Sequence, residues 1–295
     1  GYSAFDVNWK PAESILYNLL RINKLGGNYL LNIGPRADGS IPEGSVQVLE
    51  EIGAWVADNA PALHGTRPSP FAYNLPYGPT TWNEVNGGKH LYYHVFYWDE
   101  SGELWIPGVM NPAEEVSVSI PSAPQVHFTV ESVHGIGLRV SGLPREAPTA
   151  LCTTLDIQFN SEPDLEEGIR EINGSIYLDA LGGKVIGGEF VEWDTKPCYN
   201  WYSGRNISYK MVVTRGGNYR VSVNLAGYYS GTITFNFSDG SKLQGRNTAT
   251  PSGYRTFEWQ DMGTVYLEPG EYTFDVSSQQ SDSWLKLRGI RFVHQ

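Results

Sequence analysis

The sequence predicts a mainly β protein in which a short α/β segment precedes two antiparallel β-sandwiches. Three observations predict this fold class. Apolar residues recur at helical spacing between residues 11 and 59, a near-continuous apolar run separates the two helical patterns, and the period changes to two from about residue 72 onward. A chain of 295 residues is long enough for two or three domains and a sizeable core.

Two helices are predicted in the N-terminal segment. The first runs from Pro11 to Leu25, with proline suited to its first turn and glycines following its end. The second runs from Pro42 to about Asn59 and breaks at Pro61. The apolar stripes that predict them consist of Ile15, Leu16, Leu19, Leu20 and Ile22 in the first helix, and of Val48, Leu49, Ile52, Trp55 and Val56 in the second.

Between these helices lies an apolar run that predicts a buried strand. Tyr29, Leu30, Leu31 and Ile33 form a run too short for a helix and bounded by glycines, a pattern typical of strands in parallel sheets covered on both faces. One strand with two helices cannot close a parallel sheet, which needs partner strands. We therefore expect this run to be the last strand of a barrel or open sheet whose other strands lie upstream.

The rest of the sequence predicts strands separated by Gly, Pro and Asn turns. Residues 67–71 read as a proline-rich linker, and the acidic stretch 162–168 reads as a second boundary. We predict domains over residues 1–67, 72–162 and 170–295. The expected strands are 90–98, 103–106, 116–120, 126–130, 137–140 and 151–159 in the first sandwich, then 175–179, 189–193, 207–213, 217–225, 231–237, 255–259, 263–267, 270–277 and 284–293 in the last.

Composition argues against several classes of partner. The formal net charge of −11 disfavours nucleic acid and anionic membrane surfaces as partners, and no apolar run approaches the roughly 18 residues of a membrane span. The chain carries 18 Tyr and 9 Trp, a mix that suits contact with sugars. Cys152 and Cys198 are far apart in sequence, so we expect two buried thiols.

No metal or cofactor site is predicted. His90 and His94 share one face of a strand, but no third ligand is in register, so packing or solvent exposure is the favoured interpretation.

Several motifs, in order and spacing, resemble the α-L-fucosidases of glycoside hydrolase family 29. The resemblance covers roughly residues 1–160. It is carried by Gly1-Tyr2, Trp9-Lys-Pro-Ala-Glu-Ser-Ile15, the stretch from Gly26 to Pro42 (GGNYLLNIGPRADGSIP), Leu49-Glu-Glu-Ile-Gly-Ala-Trp55, Ala62-Leu-His-Gly-Thr-Arg-Pro68, Leu91-Tyr-Tyr-His-Val-Phe-Tyr-Trp98 and Leu104-Trp-Ile-Pro-Gly108.

The resemblance implies a (β/α)8-like barrel, of which this chain holds the last βα elements, followed by a β-sandwich. It implies retaining hydrolysis of terminal α-L-fucosyl residues by an Asp nucleophile and a Glu acid/base, without a cofactor. Both catalytic residues are expected upstream of Gly1, so the chain alone should be inactive and should need an N-terminal barrel polypeptide as partner. Glu13, Glu43, Glu50 and Glu51 are expected on solvated faces of outer helices.

Four residues are predicted to contact substrate at the barrel remnant. Active sites of such barrels lie at the C-terminal ends of the strands, which favours Asn32, Arg36 and Asp38 after the apolar run, together with Tyr2. The competing interpretation is structural, because Asp38-Gly39 is a good turn sequence. His64, Thr66 and Arg67 are expected to form a hydrogen-bonded domain joint.

Beyond residue 170 the sequence resembles carbohydrate-binding β-sandwiches of the family 6 and 35 type. The resemblance rests on the stretches 216–226, 254–259, 265–274 and 285–292. It implies that loop aromatics stack on a sugar. It also implies that Glu189 and Glu192 lie where such modules often hold a structural calcium, although the oxygen ligands cannot be counted from sequence. The competing interpretation places these rings in the core or between domains. The candidates are Trp201, Tyr202, Tyr228, Tyr229 and Trp284.

Two functions follow from these observations. The first is the C-terminal portion of a retaining α-L-fucosidase acting on fucosylated glycans or glycosides. The alternative is a non-catalytic carbohydrate-binding or assembly subunit. A homo-oligomer is compatible with both. The compartment is unknown from sequence, with a secreted or periplasmic location favoured.

Overall fold

A computed structural model describes residues 3–5, 9–185, 191–193, 197–281 and 284–295, with the backbone alone at 191–193 and 197. Within these residues the chain forms two α-helices, α1 (Ala12–Lys24) and α2 (Glu43–Asp58), followed by strands. Both helices agree with the predicted ones. No helix in the described ranges is long and apolar enough to cross a membrane.

Helix α1 forms because its apolar residues return every three to four positions and face one side. Leu16, Tyr17 and Leu20 are fully buried on that face. Ile15 packs with Ile52 of α2 in a small core shared by the two helices, and Leu151 from the following part of the chain packs against it.

The segment after α1 differs from its prediction, since residues 27–36 form no strand. Leu30 is 91% exposed, whereas Tyr29, Leu31 and Ile33 are half-buried. A strand requires a hydrogen-bonded neighbour, and no described strand lies beside this run. The apolar sequence pattern is therefore present, but the hydrogen-bonded strand pairing that it predicts does not form with the described strands.

The first sandwich follows a linker and packs two antiparallel sheets over a common core. One sheet has the order β1-β2-β7-β4 and the other β3-β6-β5. Inward side chains of both sheets share this core, such as Leu91 and Ile157 of one and Leu104 and Val140 of the other. The strands are β1 (Thr80–Val85), β2 (Gly88–Val95), β3 (Glu103–Pro107), β4 (Val116–Ser119), β5 (Thr129–Val133), β6 (Gly137–Ser141) and β7 (Thr153–Phe159).

The last sandwich also consists of two antiparallel sheets around a larger core. One sheet runs β10-β13-β18-β15-β16 with β8 beside β13, and the other runs β11-β12-β19-β14-β17 with β9 beside β19. Its strands are β8 (Ile169–Arg170), β9 (Ser175–Asp179), β10 (Lys184–Val185), β11 (Val191–Trp193), β12 (Pro197–Tyr202), β13 (Asn206–Val213), β14 (Gly217–Ala226), β15 (Gly231–Phe237), β16 (Lys242–Asn247), β17 (Glu258–Leu267), β18 (Gly270–Gln280) and β19 (Trp284–His294).

Several strand predictions need correction. β1, β8, β10, β12 and β16 were not predicted, and the strand expected at 126–130 lies at Thr129–Val133. The strands expected at 255–259 and 263–267 form one strand, β17, interrupted by a bulge. Val221 pairs with Gly263 and Ser222 with Asp261, which leaves Met262 as the extra residue.

The linkers before and after the first sandwich form hydrogen bonds to the structural units on each side. Thr66 donates from Oγ1 to Asn23 Oδ1 of α1 at 2.9 Å, and the Arg67 amide donates to Trp82 O at 2.8 Å, as expected of a domain joint. Between the sandwiches, the fully buried Arg170 donates from Nε to Gly135 O at 3.0 Å and pairs with Glu166. Cys152 and Cys198 are buried free thiols, in agreement with the prediction.

Candidate functional sites

Two regions hold the predicted site residues, the loop after the apolar run and one end of the last sandwich. In the loop, Asn32 and Asp38 are exposed and Arg36 is half-buried. Tyr2 lies outside the described residues, as does Glu189, and the side chain of Glu192 is not described.

Arg36 and Asp38 meet in a tight turn organised by Ser40. Asp38 Oδ1 accepts from the Ser40 amide at 2.9 Å and from Ser40 Oγ at 2.7 Å, which holds the pKa of Asp38 below its usual value. Arg36 donates from one terminal nitrogen to Ser40 Oγ and Ile41 O, each at 3.2 Å. Gly39 has a φ of +85°, so the turn needs glycine there. These contacts favour the structural interpretation of both side chains.

A groove of about 370 Å³ lies beside the apolar run and is lined by residues 29–34 and by the first half of α2. Trp9 and Leu49 also line it and are 46% and 36% exposed. We call this surface the N-terminal groove; its apolar lining residues are Trp9, Ile15, Tyr29, Leu30, Leu31, Ile33, Val48 and Leu49. Three of these side chains, Trp9, Leu30 and Leu49, are exposed, and neighbouring exposed apolar side chains are typical of surfaces that bind a partner.

The described residues contain no group of three or more His, Cys, Asp or Glu side chains that would bind a metal. On α2, Glu43, Glu50 and Glu51 are exposed, as the outer-helix interpretation expects. Glu13 is partly buried, and this burial raises its pKa.

The two strand histidines engage protein groups. His94 is fully buried, with Nε2 at 2.9 Å from Thr81 Oγ1 and Nδ1 at 3.0 Å from Thr154 Oγ1. Burial lowers the pKa of His94 to about 3, so it is neutral at physiological pH. His90 places Nδ1 2.8 Å from Asp156 Oδ1. These contacts fit packing roles.

Among the predicted sugar contacts of the last sandwich, the prediction for Trp201 is wrong. Its side chain is completely buried within the core, and its Nε1–H donates to Arg205 O at 2.9 Å. A ligand cannot reach it. Trp201 lies on β12, whose register decides which side chains face inward, and that strand was not predicted from sequence.

The other predicted aromatics lie at the surface. Tyr202, Tyr228 and Tyr229 are 42%, 55% and 49% exposed, and Trp284 is half-buried. Tyr202 and Trp284 are cross-strand partners at the ends of β12 and β19, with ring centroids 6.4 Å apart.

Tyr254 completes this cluster and was missed from sequence. Its ring stacks on Trp284 at 4.0 Å and 8°, and Tyr228 meets it edge-on at 4.8 Å. The close approach of Tyr228 requires Gly253, because a Cβ there would lie 2.1 Å from the Tyr228 ring. The sequence signal that could have indicated this cluster is the tyrosine that directly follows Gly253. We call Tyr202, Tyr228, Tyr254 and Trp284 the aromatic patch.

Comparison with known proteins relates the chain to one family. Residues 1–61 match the sequence model of the alpha-L-fucosidase family. An alpha-L-fucosidase of Dictyostelium discoideum is 32% identical over 109 residues, covering 35% of this chain and 23% of that protein. The human tissue alpha-L-fucosidase is 25% identical over 138 residues, covering 47% of this chain and 29% of that protein.

The fold agrees with a solved structure over the whole chain. The alpha-L-fucosidase from Vibrio sp. strain EJY3 superposes with a TM-score of 0.66 at 18% identity, covering 100% of this chain and 53% of that one. The chain therefore spans about a quarter of the curated relatives named here and about half of the Vibrio protein. These matches confirm the resemblance to α-L-fucosidases that the sequence motifs predict.

Proposed function

We propose that this chain is the C-terminal portion of a retaining α-L-fucosidase that hydrolyses terminal α-L-fucosyl residues and works with an N-terminal barrel. The family match over residues 1–61 supports the enzyme class. In this proposal residues 1–67 are the last barrel elements, residues 72–162 the sandwich that follows, and residues 170–295 an appended sandwich. The barrel would supply the nucleophile and the acid/base, and this chain alone would be inactive.

The observation that carries the proposal is the exposure of the N-terminal groove. Leu30 is 91% exposed within an apolar run, although burying a leucine side chain stabilises a fold by roughly 1.5–3 kcal/mol. A barrel strand placed beside residues 29–33 would cover Leu30 and give the run the hydrogen-bonded neighbour it lacks. The partner that fits this surface is thus a parallel strand with its own apolar side chains.

The loop after the run would then lie at the substrate face of the completed barrel. Asn32 is exposed and free to face a sugar, whereas Arg36 and Asp38 fix the shape of the adjoining turn. We assign these three residues, with Tyr2, to the rim of the fucose pocket.

Measuring turnover of an aryl α-L-fucoside tests the enzyme proposal. The chain alone should show none, and adding the barrel polypeptide that co-purifies from source cells should restore it. Leu30→Asp should prevent restoration by placing a charge in the groove. Leu25→Asp is the matched control, since Leu25 is 65% exposed and outside the groove lining. Turnover by the isolated chain would overturn the placement of the catalytic pair.

The aromatic patch supports a second role, sugar binding by the last sandwich. The exposed rings of Tyr202 and Tyr228 offer apolar surface to the C–H groups of a sugar ring, beside the half-buried Trp284. Tyr228→Ala should weaken binding of a fucosylated oligosaccharide about tenfold, measured by calorimetry, which corresponds to about 1.4 kcal/mol. Tyr266→Ala is the control, because Tyr266 is 56% exposed on β17, away from the patch.

The same measurements separate the alternative function. A non-catalytic carbohydrate-binding or assembly subunit would bind sugar through the patch but would co-purify without a barrel polypeptide and would never acquire fucosidase activity. Equal affinities of the wild type, Tyr228→Ala and Tyr266→Ala would exclude the patch as the sugar site.

A further inference from the structure

Three parts of the chain meet at one buried polar cluster. Lys24, the last residue of α1, donates from Nζ to Asn74 Oδ1 at 2.8 Å. Asn74 in turn donates from Nδ2 to Tyr17 Oη at 2.9 Å and to Leu181 O at 3.3 Å. Lys24 and Asn74 are only 4% and 3% exposed. We call Lys24, Asn74 and Asp179 the interdomain joint.

The last sandwich enters this joint through the turn that follows β9. Asp179, itself 4% exposed, caps that turn by accepting the Leu181 amide on Oδ1 at 3.2 Å. The Asn74 amide then donates to Gly182 O at 3.3 Å. Asp179 therefore shapes the segment by which the sandwich contacts Asn74.

The second carboxylate oxygen of Asp179 has no hydrogen-bond partner among the residues that the structure describes. Asp179 Oδ2 is buried, and no described donor reaches it. If Asp179 is ionised, its negative charge is removed from water while only Oδ1 accepts a hydrogen bond. The free-energy cost of this burial disfavours the docked arrangement.

The surrounding groups do not neutralise that charge by direct contact. The Tyr hydroxyls stay neutral, because burial raises the pKa of Tyr17, Tyr93, Tyr97, Tyr177 and Tyr209. The titratable groups that interact electrostatically with Asp179 are Lys24 and Tyr17 on α1, Tyr93 and Tyr97 in the first sandwich, and Tyr177 and Tyr209 in the last. Arg21, Glu167 and Arg288 interact in turn with Tyr17, with Lys24, and with Tyr97 and Tyr177.

We propose that the interdomain joint is a pH-operated latch, in which uptake of one proton by the Asp179 carboxyl group strengthens docking of the last sandwich on helix α1. Protonation removes the buried negative charge and gives one carboxyl oxygen a proton to donate. Lowering the pH below 7 tightens the latch, and raising the pH to 7 releases it.

The pKa values fit this geometry. Burial raises the pKa of Asp179 from 3.8 to about 7, against the opposing effects of the Leu181 amide and the Lys24 charge. The docked form therefore binds the proton more tightly than the undocked form, so the added stability is present at low pH and is lost as pH rises through 7. Burial lowers the pKa of Lys24 from 10.5 to about 7, so the Lys24 contribution to docking increases as pH rises above 7 and does not act in the pH range of the latch.

Hydrogen exchange on the full chain tests the latch. The peptide 72–77 contains the Asn74 amide, whose protection reports opening of the joint. From pH 7 to pH 5 its protection factor in the wild type should rise by up to about tenfold per pH unit, relative to Asp179→Asn, which imitates the protonated state. Asp58→Asn, on an exposed carboxylate of α2, is the matched control and should follow the wild type.

A second variant keeps the test decisive if Asp179→Asn fails to fold. Lys24→Met removes the cation that favours the ionised carboxylate, so the pH at which protection changes should move upward. Equal pH dependence of peptide 72–77 in the wild type and Asp179→Asn, or an unchanged transition in Lys24→Met, would overturn the proposal. The peptide 104–109 in the first sandwich serves as an internal reference and should show the same protection in all variants.

Discussion

Replacing Trp201 by alanine should nearly unfold the last sandwich without acting on a ligand. The ring is fully buried in the core, and removing such a ring costs about 3–5 kcal/mol. The carbonyl of Arg205 also loses its donor, which adds about 1 kcal/mol. The expected total of about 4–6 kcal/mol is comparable with the whole stability of many domains.

Urea unfolding followed by far-ultraviolet circular dichroism measures this loss. Trp201→Phe should fall between the wild type and Trp201→Ala, because it keeps most of the apolar volume and loses the N–H donor. Trp259→Ala is the matched control, since that ring is 39% exposed. A Trp201→Ala protein within 1 kcal/mol of the wild type that binds sugar more weakly would refute the assignment of Trp201 to the core.

Two further predictions concern the first sandwich and the linker. Because the pKa of His94 is lowered to about 3, the wild type should lose up to about 1.4 kcal/mol per pH unit relative to His94→Gln as pH falls from about 6.5 towards 4, and parallel urea-unfolding curves would contradict this. Arg170→Met leaves the carbonyls of Gly135 and Gly168 without their donor and should cost about 3 kcal/mol by calorimetry, whereas the half-exposed Arg139→Met should cost little.

The helices and most strands were predictable because their information is local. The apolar spacing of α1 and α2 gives both helices to within two residues of their ends, and turn residues mark most strands. β12 was missed because it begins at Pro197 and mixes polar with aromatic residues, so it resembles a loop. The bulge at Met262 made one long strand look like two.

The errors at the candidate sites have a different cause, the dependence on distant parts of the chain. The apolar run at residues 29–33 predicts that its side chains are buried, but the pattern does not identify the strand that would pack beside it. Trp201 and Tyr202 are neighbours in sequence, yet they face opposite sides of their strand, and only the register with β19 decides which of them is buried. Sequence placed both at a site, and the structure leaves only Tyr202 at the surface.

The linker between the sandwiches governs how the last sandwich reaches its surroundings. Glu167 accepts the amides of Ala72 and Tyr73, while Arg170 joins β8 to the turn at Gly135. In the docked form these contacts hold the last sandwich at a fixed orientation to the first, so the aromatic patch keeps a constant distance from the rest of the molecule. A ligand that binds the aromatic patch and a second site at the same time therefore gains affinity only if its two groups are spaced to match this fixed distance. Inserting flexible residues into the linker would let ligands of other spacings bind both sites, and the preference for one spacing would be lost.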